Sequence, residues 1–133
     1  MIVVNFSHPL SDAQKRDIES LTGWAIEAVL DVSCQIDHEM AFAPQIRTLV
    51  DSVPISADEW QSAPILVNLP GLHNAAALVV AELHGRMGHF PSCVRLRPVV
   101  GSVPTRFEVA EVINLETVRQ ESRTRRFVNE PSN

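Results

Sequence analysis

Few groups in this chain can carry chemistry: five histidines at positions 8, 38, 73, 84 and 89, two cysteines at 34 and 93, and a single lysine, Lys15. No H-E-x-x-H or C-x-x-C is present. His84 and His89 stand five apart, off the spacing that sets two ligands on one helical face, so no metal site and no cofactor is expected. Asp37-His38-Glu39 reads as a solvated loop before it reads as a cation site. No G-x-S-x-G elbow presents a serine, and Ser7 beside His8 is not a catalytic pair by adjacency alone. Cys34 and Cys93 sit in apolar, strand-like contexts where a thiol is usually inert, and paired buried carboxylates are missing. What remains is recognition: uncharged amides, hydroxyls and imidazoles placed where backbone N–H groups point outward.

Such a place is offered by Pro64–Phe90, PILVNLPGLHNAAALVVAELHGRMGHF. Ile65-Leu66-Val67, bounded by Pro64 and Asn68, predicts a strand buried on both faces. Pro70-Gly71 breaks the extended backbone. From Leu72 onward, Leu72, Ala76, Val79, Val80, Leu83 and Met87 recur at helical spacing, and Gly85 and Gly88 loosen the helix end. A strand, a tight turn and a helix leave the first helical amides free at the sheet's edge, a ready site for an anion, with Asn68, His73 and Asn74 beside it. The unit carries no phosphate-loop signature and equally suits an ordinary crossover helix. Arg86 and His89, set between and beside the two glycines, read either as a phosphate- and base-reaching pair or as part of a helix C-cap.

The remaining elements must position that turn. Met1–Phe6 is a short apolar strand ended by Ser7-His8-Pro9. Ser11, with Gln14 three residues on, opens a helix over Asp12–Thr22 that turns Ile18 and Leu21 inward and stops at Gly23. The first unit therefore repeats the logic of the second, and in a parallel sheet two such turns fall near each other at the edge where open α/β sheets bind ligands. Trp24–Ile36 alternates with period two and predicts a strand over a helix, with a helical start around Trp24–Ala28 as the alternative. Pro44 suits the first position of a helix whose buried stripe is Ile46, Leu49, Val50 and Val53, and Ser56 to Glu59 forms a second capping box that sets Trp60 against the core. Cys93–Val99 and Arg106–Asn114 predict an antiparallel hairpin with a solvated charged face. A final helix from Glu116 carries Val118 inward and the basic residues Arg119, Arg123, Arg125 and Arg126, before a frayed polar tail at Asn129–Asn133. The expected fold is thus α/β: one three-layer, Rossmann-like domain over residues 1–128, mainly parallel with a C-terminal hairpin.

Composition narrows the partners. The chain has 133 residues, 45% hydrophobic and 20% charged, values of an ordinary globular domain. A net charge of −5 argues against broad binding to duplex nucleic acid, which needs a cationic face. No apolar run approaches a membrane span and no charged leader precedes the first strand, as expected of a cytoplasmic protein with no membrane partner.

Four stretches are more specific. IVVNFSHPL near the N-terminus, D-H-E-x-x-F-A-P-Q over Asp37–Gln45, N-L-P-G-L over Asn68–Leu72 and above all E-L-H-G-R-M-G-H-F-P over Glu82–Pro91 resemble a small CRISPR-associated ancillary family, the fifteenth of the Csx-named families, found with type III systems. The resemblance spans nearly the whole chain and is weakest in the basic tail. It implies kinship with the Rossmann-like CARF domains that sense cyclic oligoadenylates, with the ligand lying across a homodimer between the turns after the first and central strands. By position this implicates Asn5, Ser7, His8, Asn68, Pro70, Gly71, His73 and Asn74. The implied function is binding of a cyclic oligoadenylate such as cyclic tetra-adenylate, damping type III signalling either as a messenger sink or as a slow, metal-independent ring nuclease for which His8 and His73 are the candidate acid–base groups. The first turn has no Lys or Arg, unlike many ring-cleaving relatives, which favours sequestration over cutting. The alternative is a protein-interaction module of an effector complex that uses the hairpin and the basic final helix.

Overall fold

Short strands apolar on both sides need cover on both faces, and the chain supplies it by alternating strands with helices. The computed structural model describes residues 1–128. In order they form β1 (Ile2–Asn5), α1 (Asp12–Thr22), β2 (Ala28–Asp31), α2 (Phe42–Asp51), α3 (Ala57–Ser62), β3 (Ile65–Asn68), α4 (His73–Met87), β4 (Ser92–Pro98), β5 (Phe107–Asn114) and α5 (Leu115–Val128). The sheet order is β2-β1-β3-β4-β5, parallel through β4, with β5 antiparallel to β4. This is the three-layer, Rossmann-like α/β arrangement that the alternation of elements predicted. The tail from residue 129, read as frayed, lies outside the described residues.

The two faces carry separate cores. On one, Val4, Phe6, Ile65 and Val67 meet Ile46, Val50 and Trp60 of α2 and α3 and Ala75, Val79, Leu83 and Met87 of α4. On the other, Val3, Leu66, Val94 and Val109 meet Ile18 of α1 and Leu10 of the loop before it. The chain reverses direction in the sheet after β2, so β1 and β3 become neighbours while their connections leave on opposite faces. That is the switch point at which open α/β sheets leave a crevice.

Several elements match their sequence signals closely. Ser11 and Gln14 cap each other's backbone N–H groups, as do Ser56 and Glu59. α1 stops at Gly23, whose φ of 72° lies in the left-handed region that glycine enters without steric cost. Other expectations are corrected. The period-two stretch Trp24–Ile36 yields only four strand residues, because β1 beside it is equally short and no strand lies beyond this edge; Leu30, Val32 and Ile36 nonetheless pack on the α2–α4 core. α2 begins at Phe42, which puts Pro44 at its third position, where the missing N–H still costs nothing because the first helical amides have no intrahelical acceptor. Leu21 and Val118 are exposed, not inward. α4 runs straight through Gly85 and ends only at Gly88, with φ 80°.

α5 follows β5 without a linker. Its root is held by the Leu115 N–H donating to the Pro91 carbonyl at 3.2 Å and by the Phe90 N–H donating to Glu116 Oε2 at 2.7 Å. The Phe90 amide, with Arg119 and Gln120 adding to it, holds the Glu116 carboxyl below its usual range against the opposing effect of desolvation. A depressed carboxyl favours the fold above its unfolded value and stops doing so as pH falls through the folded value. The α5 root is therefore expected to be firm at neutral pH and to loosen only as pH falls below the ordinary glutamate range, through the depressed value, read as faster hydrogen exchange at the Phe90 amide in acid, after correction for intrinsic rates, an acid effect that Glu116→Gln should abolish.

Candidate functional site

Three parallel strands end level with one another. Asn5 of β1 stands opposite Asp31 of β2 on one side and Asn68 of β3 on the other. Their side chains form a continuous ladder: Asn68 Nδ2 donates to Asn5 Oδ1 at 2.9 Å, and Asn5 Nδ2 donates to Asp31 Oδ1 at 2.9 Å. Asn5 also folds the turn that follows it, since its Oδ1 accepts from the Ser7 N–H at 3.1 Å and its Nδ2 donates to the His8 carbonyl at 2.9 Å. Beyond the ladder, the Phe6 N–H donates to the Asn68 carbonyl at 2.9 Å and the Val32 N–H to the Asn5 carbonyl at 2.8 Å. Asn5 and Asn68 are buried, and these amides are spent on joining the three strand ends.

Above the ladder lies an open cleft of about 530 Å³, lined by Phe6, Ser7 and His8 from the first turn, Ser33, Cys34 and Gln35 from the segment after β2, and Pro70, Gly71 and Leu72 from the turn before α4. Among the described residues, no Lys, Arg, Asp or Glu lines it. The two turns singled out from the sequence thus meet, at the predicted edge. His73 and Asn74 follow directly as the first two residues of α4, both exposed. α4 begins without a side-chain cap and without an acidic residue in its first turn, so its leading N–H groups and their partial positive charge remain available. Gly71 needs no special backbone angle, and a Cβ there would meet open space.

The second helix start behaves differently. α1 is closed by its own Ser11–Gln14 box, carries Asp12 in its first turn, and lies over the far side of the sheet, where Gln14 Nε2 donates to the Phe107 carbonyl of β5. Of these two helix starts, that of α4 is the open one beside the cleft. The reading of Arg86 and His89 as ligand-reaching residues is also corrected. They sit at the opposite end of α4, about 20 Å away at 1.5 Å of rise per residue. Arg86 there pairs with Asp51 at 2.7 Å and Glu82 at 3.4 Å, while His89 Nδ1 lies 3.0 Å from the Phe90 carbonyl and His84 stacks on the Phe90 ring.

Ser33, Cys34 and Gln35 were missed because the alternation of Trp24–Ile36 reads them as strand interior; no local signal marks the end of β2. Cys34 is half-buried at the cleft wall, and burial pushes its thiol up from the usual value, so it is protonated at neutral pH. Cys93 is buried in β4. Among the described residues no three His, Cys, Asp or Glu side chains gather into a metal-holding group, and no helix is long and apolar enough to cross a membrane. The arrangement can bind an anionic or heterocyclic ligand through neutral donors, helix amides and two exposed imidazoles.

No protein-family model matches the chain, and no curated protein or solved structure matches it either.

Asn5 carries more of this edge than any other side chain. Asn5→Ala leaves the buried Asn68 amide without its acceptor and frees the Ser7 turn, for an expected loss of roughly 2–4 kcal/mol in urea unfolding. Replacing exposed Asn74 by Ala should change stability by less than about 0.5 kcal/mol in the same measurement.

Proposed function

We propose that two copies of this chain bind cyclic tetra-adenylate between their cleft edges and so damp type III CRISPR antiviral signalling in the cytoplasm, chiefly by sequestering the messenger. The observation that carries the reading is the meeting of two uncharged turns, Ser7-His8 and Pro70-Gly71, beside the uncapped start of α4. A ring of four nucleotides has two-fold symmetry, so a two-fold pair presenting the same edge twice needs only enough donors for two phosphates and two bases per copy. Helix amides, His73, Asn74, Ser7 and His8 supply them without a basic surface, in keeping with the chain's net charge.

Cleavage of the ring makes a further demand. The ribose 2′-hydroxyl must be held in line with the neighbouring phosphorus, lose its proton to a base, and expel the 5′-oxygen while a cationic donor stabilises the charge that builds on the phosphoryl oxygens. His8 and His73 are the imidazoles at the cleft that would serve as base and acid. Without a Lys or Arg lining the cleft, stabilisation of that charge is weak, so cutting should be slow or absent beside binding.

Purified protein incubated with labelled cyclic tetra-adenylate, resolved on a native gel and on a denaturing product gel, tests this directly. A shift at micromolar protein or below with little linear product is expected; neither shift nor product ends the proposal. Gly71 lines the cleft and a Cβ there meets open space, so Gly71→Leu adds apolar bulk at the cleft and should weaken binding at least about tenfold while leaving the melting temperature nearly unchanged.

A further inference from the structure

Four of the chain's arginines, Arg119, Arg123, Arg125 and Arg126, fall within the 14 residues of α5. They outweigh Glu116 and Glu121 by two charges, on a chain whose total is −5. Arginines elsewhere commonly serve the fold: Arg86 pairs with Asp51, Arg95 with Glu111 and Arg97 with Glu108. On α5 only Arg119 is paired, with Glu116 at 3.2 Å; among the described residues Arg123, Arg125 and Arg126 meet no carboxylate. Packing does not explain them either. Residues 121–127 are all exposed, and α5 contributes no residue to either core. The helix dipole favours cations in a last turn and so accounts for Arg125 and Arg126, but Arg119 and Arg123 stand before that turn.

At 3.6 residues per turn, Arg119, Ser122, Arg123 and Arg126 share one face, and they line one open hollow along the helix. Its lining holds three guanidinium groups and a hydroxyl, with no carboxylate. Phe127, one turn beyond Arg123, continues the same face. Its ring is 59% exposed, and the Arg126 guanidinium lies 4.9 Å from the ring centroid. Glu116 lies on this side too, a turn before Arg119, where the Phe90 amide already holds it.

We infer that this face of α5 binds a single-stranded nucleic acid, its guanidinium groups on successive phosphates and the Phe127 ring against a base. A guanidinium fork matches a phosphate bidentately. An exposed aromatic beside such a track is what strand-binding surfaces add, because every base has a face to stack. An acidic peptide would use the arginines and leave the ring idle. A duplex needs a broad cationic surface, which this acidic chain lacks, whereas a flexible strand can follow a stripe that runs about 10 Å from Arg119 to Arg126. No residue of α5 lines the cleft, so the inference does not rest on what the cleft binds.

Fluorescence anisotropy of a labelled 12-nucleotide oligouridylate, titrated with the full chain across a salt series, tests it. Half-saturation below about 100 µM is expected at low salt, with log K falling against log salt at a slope of about −2, for roughly three phosphates. Arg123→Glu with Arg126→Glu should weaken binding at least about tenfold and flatten the slope. Phe127→Ala should weaken it at least about fivefold and leave the slope unchanged. Both variants alter exposed side chains and should keep the wild-type circular dichroism; should the first lose helix, Arg123→Gln with Arg126→Gln takes its place. A helix of this length without a packed face is marginal in water, so the bound strand should also slow hydrogen exchange in residues 121–126. No binding at three times the stated concentration, binding indifferent to either variant, or equal competition by an oligoglutamate of the same length overturns the inference. Cyclic tetra-adenylate binding by the Arg123→Glu, Arg126→Glu variant should match the wild type, which separates failure of this site from failure of the cleft.

Discussion

A ladder of three side chains, Asn68 to Asn5 to Asp31, sets the geometry on which the cleft depends. Carboxamides suit this position because each donates and accepts at once, so a buried row can be satisfied from one strand to the next without burying a net charge. The ladder needs the three strands to end in register, and they do. Once Asn5 has taken Asn68 and Asp31 as partners, its remaining bonds to Ser7 and the His8 carbonyl bend the first turn over the strand ends. Polar atoms that from composition alone resemble ligand contacts are therefore used to build the rim that a ligand would touch.

The two edges of the sheet divide the molecule's labour. At the edge where the parallel strands end, the cleft lining is uncharged, with exposed Asp31 beside it at the end of the ladder, and the start of α4 is open, which suits a ligand that brings its own negative charge. At the edge where they begin, the helices end, apolar side chains are uncovered and α5 leaves the body. Both follow from the parallel sheet, which sends every strand's C-terminal end to one side and every following helix back to the other. Arg86 belongs to the second edge, where its pair with Asp51 fastens α4 to α2 and its pair with Glu82 lies within α4.

Much of this was legible in the letters. Ser11–Gln14 and Ser56–Glu59 announce helix starts because a capping box is a local exchange of two hydrogen bonds. Gly23 and Gly88 announce helix ends because the left-handed backbone is cheap only for glycine. The unbroken apolar runs of β1 and β3 announce strands covered on both sides, and from them the parallel sheet and the approach of their two turns follow. These signals each lie within a few residues, where sequence and structure share the same physics.

Position across the sheet was not legible. Nothing near Cys34 tells that β2 has stopped, because its length is set by the equally short β1 beside it. Nothing near Arg86 tells which edge it occupies, since a helix of 15 residues carries its two ends to opposite sides of the sheet. Likewise α1 and α4 both follow buried strands, yet only the packing of α1 across to β5 removes its start from the cleft. By itself the sequence determined the elements, their caps and the neutrality of the two turns. The tertiary structure decided which polar groups are consumed inside the ladder and which face solvent, because a hydrogen bond between residues 63 positions apart exists only once the strands are paired.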